Sequence, residues 1–484
     1  MNATEQHLPT PRPAWIAGRA EQSGQTLPVY HPYDGDEIAT VCVPSADQVE
    51  RAVAAAVEVT QELRTTPAHV RAAALDHVSR GLAERAEEIA EMITAENGKP
   101  LRWANVEVSR AVSTFRFAAE EARRFTGELQ RLDTDPNAEG RLAVIRRVPR
   151  GPVLGIAPFN FPLNLVAHKV APAIAAGAPI IVKPAPRTPL SALLLGELLA
   201  ETDLPAGAFS VLVLGNEDTA ALVRDPRLPI VSFTGSGPVG WSLMDAAPRK
   251  QYVLELGGNG AAVVCADWTD LDFAASRIAT FGNYQAGRSC IAVQRVIVDR
   301  AVADAFVPKL LDAVNALRTG DPHDPDVEVG PLVDEAAAER VEKWVNEAVS
   351  AGAKLLAGGK RDAATVEPTV LSEVPFDMKV WTEEVFGPVL TLSVVDGVDE
   401  AFAQVNDSVY GLQAGVFTRD LQVAFRARAE LDVGGVIVGD VPSFRADQMP
   451  YGGTKGSGIG REGIRSAMAE LTEERVMVLT GLEL

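Results

Sequence analysis

The sequence predicts an α/β protein with two successive domains, each built around a parallel sheet. Its 484 residues exceed what one ordinary hydrophobic core accommodates, so more than one domain is expected. From about residue 142, short β-branched runs alternate with helical ones, which is typical of βαβ units. Before that point, helical periodicity dominates.

The first part of the chain is predicted to be mainly helical. Ser45 is a plausible helix N-cap, because apolar residues recur every three or four positions after it. A second helical pattern begins near His69 and stops at Gly98, which is followed by Lys99 and Pro100. A third amphipathic helix is predicted over 107–125.

Strands and helices then alternate in two series. The first series runs from about 142 to 246, and the second from about 259 to 440. Two β-prone segments, 141–149 and 474–484, lie outside both series. Their position suggests pairing outside the core, with another subunit.

Composition excludes several classes of partner. The net charge of −20 argues against binding to nucleic acid or to anionic membrane surfaces. No segment approaches the roughly 18 uninterrupted apolar residues of a membrane span. Cys42, Cys265 and Cys290 are too far apart to form a disulfide framework and lack zinc-site spacing. We therefore expect no metal, and the polar N-terminus predicts a cytoplasmic location.

One segment resembles a dinucleotide fingerprint. The stretch 234–240, "TGSGPVG", has glycines at 235, 237 and 240, between a predicted strand and a predicted helix. A single match of this kind is weak, since turn glycines produce many. The fingerprint also needs an acid about 20 residues further on, and that spacing alone would make Glu255 a ribose ligand.

Two polar residues follow predicted strands of the first series. Asn160 is flanked by prolines in "PFNFPLN", so its amide could be held rigidly as a donor to an oxyanion. The alternative is an asparagine that satisfies a turn. Lys183 ends the strand "PIIVK" and could hold a ribose or a phosphate; the alternative is a solvated lysine.

Cys290 is the candidate nucleophile. Glycine and polar residues precede it, whereas Cys42 and Cys265 lie in apolar runs typical of core cysteines. A thiolate needs an activating base, and no histidine is near in sequence, which weakens a cysteine-protease interpretation. A carboxylate such as Glu255 could serve. In "EEVFGPV", Glu383 and Glu384 precede Phe386. Taken by itself, such an acidic pair indicates no more than a solvent-exposed surface.

Taken together and in order, these motifs resemble the aldehyde dehydrogenase superfamily, in its NAD(P)-dependent, hydrolytic branch. The resemblance runs from about residue 28 to the C-terminus. The C-terminal motifs are similar to the lactaldehyde, phosphonoacetaldehyde and non-phosphorylating glyceraldehyde-phosphate types. The segments that carry it are "PFNFPL", "VKPAP", "SFTGS", "LELGGN", "GRSC", "EEVFGPV", "NDSVYGLQAGVFT" and "YGGTKGSGIGREG".

The resemblance implies a reaction and its residues. Cys290 matches the nucleophile, Asn160 the oxyanion donor, and Glu255 the general base, so the ribose assignment of Glu255 is overruled. Oxidation of an aldehyde to its acid with reduction of NAD or NADP is implied. The implied coenzyme contacts are Lys183, Ser236, Glu384, Phe386, Gly235, Phe159, Pro158, Pro186, Arg187, Leu256 and Gly240.

Departures from the family pattern bear on specificity. Members that prefer NAD commonly have Glu where this chain has Pro186, and the neighbouring Arg187 could attract the 2′-phosphate of NADP. Arg288 stands where Gln is frequent. Arg110, Arg288 and Arg445 are candidate contacts for a small anionic aldehyde; the alternative is that they are salt-bridged surface arginines. The candidate substrate residues are Asn164, Leu165, His168, Arg110, Arg288 and Arg445.

The resemblance also implies a domain division and an assembly. A Rossmann-like NAD(P)-binding domain is expected over 1–127 and 150–256, and a catalytic domain over 257–448. Segments 128–149 and 469–484 are expected to form a β arm that joins a homodimer or homotetramer. The alternatives are a relative that transfers the acyl group to CoA, a non-catalytic binding or structural relative, and a thiol hydrolase that needs no nucleotide.

Overall fold

The computed structural model describes residues 11–481, which form two large sheets, a three-stranded sheet, three two-stranded sheets and the helices packed against them. The strands are β1 (Ala14–Ile16), β2 (Arg19–Glu21), β3 (Gln25–Tyr30), β4 (Glu37–Val43), β5 (Glu128–Arg131), β6 (Arg141–Pro149), β7 (Val153–Ile156), β8 (Ile180–Lys183), β9 (Phe209–Val211), β10 (Ile230–Thr234), β11 (Gln251–Glu255), β12 (Gly260–Val264), β13 (Val293–Asp299), β14 (Lys354–Ala357), β15 (Arg361–Asp362), β16 (Thr365–Val366), β17 (Thr369–Ser372), β18 (Val389–Val395), β19 (Tyr410–Gly411), β20 (Gln413–Phe417), β21 (Gly435–Val438), β22 (Thr454–Lys455), β23 (Gly458–Ile459) and β24 (Thr472–Thr480).

Helices connect most of these strands. They are α1 (Ala46–Thr65), α2 (Ala68–Glu84), α3 (Ala86–Asn97), α4 (Leu101–Arg124), α5 (Asn164–Ala176), α6 (Leu190–Ala200), α7 (Asn216–Arg224), α8 (Gly237–Ala246), α9 (Leu271–Asn283), α10 (Arg300–Asn315), α11 (Glu335–Ser350), α12 (Lys379–Thr382), α13 (Val398–Asn406), α14 (Leu421–Glu430) and α15 (Ile464–Glu470). Along residues 11–481, none of them is long and apolar enough to cross a membrane.

The first large sheet has the strand order β2-β1-β9-β8-β7-β10-β11-β23. Its five central strands, β9 to β11 in that order, are parallel. This confirms the predicted βαβ series. The sequence interpretation missed β1 and β2, which precede the helical region and extend this sheet antiparallel to β9.

The second large sheet has the strand order β14-β17-β18-β13-β12-β20-β21. All its pairings are parallel except that of β14 with β17. Its central strands are buried on both faces, as expected for a sheet covered on both sides. The predicted α/β class therefore holds for both halves of the chain.

The early helices begin and end largely where local chemistry predicts. Ser45 caps α1 in a reciprocal capping box with Gln48. The pattern from His69 was predicted as one helix, but the backbone leaves the helical region at Arg85, so α2 and α3 are separate. Gly98 then ends α3 with a φ of 71°, a left-handed conformation that glycine adopts without strain.

A separate three-stranded sheet has the order β24-β6-β5. The two segments predicted to pair outside the core therefore pair with each other, over nine residues from Thr472 opposite Pro149 to Thr480 opposite Arg141. Residues 1–10 and 482–484 of the expected domains lie outside the described residues, and the domain division stays a prediction. Exposed apolar side chains on this sheet are Leu129, Val476, Met477, Val478 and Leu479.

Candidate active site

The sequence-predicted site residues come from opposite ends of the two large sheets. In the first sheet they follow the carboxyl ends of parallel strands β7, β8, β10 and β11, where open α/β sheets bind their ligands. In the second sheet they precede the amino ends of β13 and β18: Cys290 precedes the former, and Glu384 and Phe386 precede the latter. The two edges meet at a cavity.

That cavity has a volume of about 390 Å³. It brings together residues that are up to 228 positions apart, from Pro158 to Phe386. All three predicted catalytic residues line it, together with most of the predicted coenzyme residues. The predicted residues in its wall are Pro158, Phe159, Asn160, Leu165, Gly235, Ser236, Glu255, Leu256, Arg288, Cys290, Glu384 and Phe386.

The remaining predicted residues lie around this cavity rather than in its wall. Pro186 and Arg187 line a neighbouring cavity of about 590 Å³. Asn164 is buried at the start of α5, where its side-chain oxygen accepts a hydrogen bond from Thr114 at 3.3 Å. The others outside the wall are Lys183, Gly240, His168, Arg110 and Arg445.

A tight loop presents Cys290. The three residues at 285–287 have positive φ values of 43°, 58° and 68°, which is unusual for Gln285 and Ala286. Gly258 packs against this loop so closely that a Cβ atom there would lie 2.1 Å from the Cys290 carbonyl oxygen. Cys290 is partly exposed to the cavity, and its sulfur lies 3.2 Å from the Tyr451 hydroxyl.

The thiol of Cys290 is protonated in the resting protein. Burial raises its pKa to about 12, and the nearby carboxyls of Glu384 and Glu255 act in the same direction. The hydrogen bond with Tyr451 and the charge of Arg445 oppose that rise. A base is therefore needed before this sulfur can act as a nucleophile.

Asn160 is held against the nucleophile loop. Its side-chain amide donates to the carbonyl oxygen of Arg288 at 3.0 Å, and Gln285 donates to the same oxygen at 3.0 Å. An amide nitrogen has two hydrogens, so one donor of Asn160 remains for a ligand in the cavity. The prolines at 158 and 162 restrict the backbone that carries it.

Glu255 is a buried carboxyl with neither oxygen hydrogen-bonded. It is 3% exposed, and both oxygens lack a partner. Burial raises its pKa well above the usual value, and the negative charge of Glu462 adds to the effect. A carboxyl of this kind, unpaired and at the wall of a cavity, is suited to accept a proton from a ligand or water.

The N-terminus of α8 forms one end of the cavity. Ser236 is its N-cap and makes no capping hydrogen bond with its own side chain. The helix packs very closely on the strands beneath, since a Cβ atom at Gly240 would lie 2.4 Å from Leu256. Free backbone N–H groups at a helix N-terminus bind phosphate. The glycines of the predicted fingerprint thus position a possible anion site through packing.

Two of the predicted coenzyme residues are charged. Glu384 lines the cavity and accepts a hydrogen bond from the Gly258 backbone at 3.0 Å, and partial burial raises its pKa to about 7. Lys183 is buried at the end of β8, and this burial lowers its pKa to about 8. In the cavity wall, the rings of Phe159 and Phe386 meet edge to face with centroids 5.9 Å apart. Hydroxyl-rich ligands such as riboses suit this mixture of charge and apolar surface.

Arg187 has a partner that the sequence did not indicate. Its guanidinium pairs with Asp334 at 2.7 Å, although the arginine side chain is 59% exposed. Asp334 lines both cavities and also caps α11, accepting from the Ala337 backbone at 2.7 Å. The candidate 2′-phosphate ligand therefore lines the cavity of about 590 Å³ and pairs with a carboxylate that lines both cavities.

Arg110 and His168 share one carboxylate. Asp447 accepts hydrogen bonds from Arg110 at 2.8 and 3.1 Å and lies 3.2 Å from the His168 ring. Burial lowers the pKa of His168 to about 4, with the charge of Arg445 acting in the same direction. His168 is therefore neutral at physiological pH.

Arg445 and Arg288 are also engaged. Arg445 pairs with Glu462 at 2.9 Å and stacks on the ring of Tyr451, 3.8 Å from its centroid. Arg288 is 1% exposed, and its guanidinium donates to the backbone and side-chain oxygens of Asn97 at 2.9 and 3.1 Å. The role of these arginines as substrate contacts stays a prediction.

Sequence reasoning missed several residues of the site. Tyr451 contacts the nucleophile, Asp447 and Glu462 neutralise two candidate arginines, and Lys169 approaches Glu462 at 3.5 Å. Tyr451 and Glu462 lie in the segment "YGGTKGSGIGREG", which carries the family resemblance but has no local pattern that marks either side chain as part of the site. No local pattern marks Lys169, which follows His168 in an apolar helix.

The two parallel-rich sheets and the cavity where their edges meet define an α/β protein of the dehydrogenase type. The model of the aldehyde dehydrogenase family matches residues 19–477, and the chain belongs to that family.

Individual relatives agree with this assignment. The chain is 43% identical over 466 residues to the 3-sulfolactaldehyde dehydrogenase of Priestia megaterium, covering 96% of this chain and 97% of that protein. It resembles aldehyde dehydrogenase 21 of Physcomitrella patens in complex with the reaction product succinate, at 43% identity and a TM-score of 0.96, covering 97% and 99% of the chains. The NADP complex of the NADP-dependent glyceraldehyde-3-phosphate dehydrogenase of Bacillus halodurans is 34% identical with a TM-score of 0.93, covering 97% and 99%.

The protein is thus an NAD(P)-dependent aldehyde dehydrogenase, which oxidises an aldehyde to its carboxylic acid.

Proposed function

We propose that Cys290, Asn160 and Glu255 carry out this oxidation. The observation that supports the proposal is their convergence on one cavity from separate parts of the chain. The Cys290 thiolate attacks the aldehyde carbon, and the resulting oxyanion accepts hydrogen bonds from the Asn160 amide and from the Cys290 backbone N–H. When bound, the nicotinamide coenzyme supplies the hydride acceptor that turns this adduct into a thioester.

Glu255 then completes the reaction. Its carboxylate removes a proton from water, the water oxygen attacks the thioester carbon, and the Cys290 thiol leaves with a proton. The raised pKa suits this role, because it makes the carboxylate a stronger base toward a bound water. This favours hydrolysis over transfer of the acyl group to CoA, which needs no activated water.

The first experiment measures coenzyme reduction with NAD and with NADP over apolar, hydroxylated, phosphorylated and carboxylated aldehydes. The Cys290→Ala variant is the control, and we expect it to lose turnover. Turnover that requires added CoA would instead indicate the acyl-transferring alternative. Coenzyme binding without turnover of any aldehyde, with or without CoA, would indicate a non-catalytic relative.

The residues around the cavity fit a nicotinamide dinucleotide. We propose that the pyrophosphate lies at the N-terminus of α8, where Ser236 makes no capping bond of its own. Lys183 and Glu384 hold the two riboses, and Phe386 packs beside the nicotinamide. Lys183 is buried and Glu384 is half-buried, and both have shifted pKa values, as expected for groups whose partner is a ligand.

We propose that NADP is preferred over NAD. Pro186 removes the carboxylate that would repel a 2′-phosphate, and Arg187 lines the neighbouring cavity beside it. A phosphate must then compete with Asp334 for the guanidinium. We expect Arg187→Ala to raise the KM for NADP by roughly tenfold and to leave the KM for NAD nearly unchanged. Equal changes for both coenzymes would contradict the preference.

We propose that the substrate is a short aldehyde with an anionic group. The names of the sulfolactaldehyde relative and of the succinate complex support this, because both compounds are anionic. Arg110 uses only two of its five donors on Asp447, and Arg445 uses one on Glu462, so each retains donors for a ligand. We propose that Arg288 instead anchors the nucleophile loop through Asn97.

A pair of variants on one helix tests the anion contact. Arg110→Gln should lower kcat/KM for an anionic aldehyde by roughly tenfold to a hundredfold, since charged hydrogen bonds are among the strongest. It should have little effect with an uncharged aldehyde of similar length. Arg116→Gln is the matched control, because Arg116 is exposed on α4 and pairs with Glu120. Equal losses with both aldehydes would exclude an anion contact.

We propose a homodimer or homotetramer joined through the three-stranded sheet. Its apolar side chains, including Val476 at 60% and Leu129 at 69% exposure, need cover from another surface. We also propose a cytoplasmic location. The three free cysteines support a reducing compartment, because oxidising compartments favour disulfides.

A further inference from the structure

We propose that Tyr451 is a further catalytic residue, whose hydroxyl donates a hydrogen bond to the Cys290 sulfur and stabilises the thiolate. This inference rests on the proposed role of Cys290 as nucleophile. The phenol keeps its own proton throughout, so the proton lost by the thiol goes to the Glu255 carboxylate and not to Tyr451.

Geometry makes the hydroxyl a dedicated partner of the sulfur. The oxygen lies 3.2 Å from Sγ, and Tyr451 is only 4% exposed. Buried hydroxyls are nearly always paired, and this contact is the hydrogen bond that the Tyr451 hydroxyl makes. Glu255 is not a competing acceptor, because neither of its oxygens has a hydrogen-bond partner.

The phenol is a donor rather than a base under working conditions. Burial raises its pKa well above the usual value, and the nearby sulfur adds to the effect. The guanidinium of Arg445 lies 3.8 Å from the ring centroid and is held there by Glu462. A cation over the ring withdraws electron density from it, which strengthens the hydroxyl as a donor.

The charges around the sulfur explain why such a donor is needed. Burial raises the pKa of the thiol, and the carboxyls of Glu384 and Glu255 act in the same direction, whereas the hydrogen bond with Tyr451 and the charge of Arg445 lower it. The neighbouring Tyr284 gives its hydroxyl to Ser289 at 2.7 Å and not to the sulfur. Within residues 11–481, the contact from Tyr451 is the hydrogen bond that reaches Sγ.

The effect on thiol reactivity follows from two opposing changes. Loss of a hydrogen bond to a charged group should raise the thiol pKa by about one to two units. Each unit of increase in the thiol pKa lowers the fraction of thiolate about tenfold, but it makes the remaining thiolate about threefold more nucleophilic. Tyr451→Phe should therefore slow alkylation by roughly threefold to tenfold at any pH below the thiol midpoint.

The test measures alkylation of Cys290 by iodoacetamide in the full chain, without coenzyme, from about pH 7 to about pH 10. Mass spectrometry separates Cys290 from the buried Cys42 and Cys265. Tyr252→Phe is the matched control, because that buried hydroxyl donates to backbone oxygens of α8 and its C-cap at 2.9 Å, away from the sulfur. We expect a slower Tyr451→Phe profile, displaced toward higher pH, and a wild-type profile for Tyr252→Phe.

Two results would overturn the inference. One is an alkylation rate of Tyr451→Phe equal to or higher than that of the wild type. The other is an equal decrease of the alkylation rate in Tyr451→Phe and Tyr252→Phe, which would indicate altered packing. The thermal midpoint and coenzyme affinity of Tyr451→Phe should stay near the wild-type values. Failure of the proposed function is recognised separately, because Cys290→Ala would then retain turnover whatever the alkylation rates show.

Discussion

The role of Glu255 can be tested by a substitution that keeps the shape of the side chain. Its carboxyl is 3% exposed, and burial raises its pKa well above the usual value. Glu255→Gln is isosteric and uncharged, so it suits a site where burial disfavours charge, and we expect the free energy of unfolding to change by less than about 1 kcal/mol. The variant lacks only the ability to accept a proton.

The expected loss is in the hydrolytic step. A positioned general base contributes roughly 100- to 10,000-fold to a rate, which is about 3 to 5 kcal/mol of activation free energy. We expect kcat of Glu255→Gln to fall within that range. The wild-type rate should rise with pH as Glu255 loses its proton, and the variant should lose that dependence.

Rapid mixing separates the two chemical steps. If Glu255 acts mainly on water, the variant should show a burst of reduced coenzyme followed by slow turnover, and a thioester on Cys290 should be visible by mass spectrometry. Coenzyme affinity, measured by calorimetry, should stay within about twofold of wild type. A large loss of affinity with normal turnover at saturation would refute the reasoning and restore Glu255 as a ribose ligand. Glu384→Gln provides the contrast, because there we expect weaker coenzyme binding.

Three other predictions concern stability, the nucleophile loop and assembly. Burial lowers the pKa of His168 from 6.5 to about 4, so the unfolded chain binds a proton before the folded chain does as the pH falls. Up to about 3 kcal/mol of the free energy of unfolding should therefore be lost between pH 6.5 and about pH 4. Urea unfolding at several pH values should show this loss, and His168→Asn should make the loss smaller. Gly258→Ala would place a Cβ atom 2.1 Å from the Cys290 carbonyl oxygen, so activity should collapse, whereas Gly24→Ala meets nothing within 4 Å and should be silent in the same assay. Val476→Asp should yield a smaller species by light scattering, and an unchanged mass would exclude this sheet as the interface.

Local sequence patterns predicted most elements correctly where one residue type determines the outcome. Ser45 begins α1 with the expected capping box, and Gly98 ends α3 in the left-handed conformation. Alternation of β-branched and helical runs predicted both parallel sheets. It missed β1, because that strand is short and joins its sheet through the distant β9, at Val211. Pairing partners of that kind are not encoded in local periodicity.

For the candidate site, too, the sequence predicted some features and left others to the tertiary structure. Motif order alone brought Cys290, Asn160 and Glu255 forward, since each motif keeps its recognisable local context. Spacing alone assigned Glu255 as a ribose ligand, because the glycine fingerprint specifies a turn and not the direction of a later side chain.

The sequence by itself determined the fold class, the reaction class and the candidate catalytic side chains, because these depend on periodicity and on motifs that are contiguous in the chain. Only the tertiary structure decided that Tyr451 touches the sulfur, that Asp447 holds Arg110, and that Glu255 is left unpaired. The first two are contacts between residues more than a hundred positions apart. The burial and the charge environment of all these side chains arise only when the two sheets pack together, and no local sequence pattern encodes that packing.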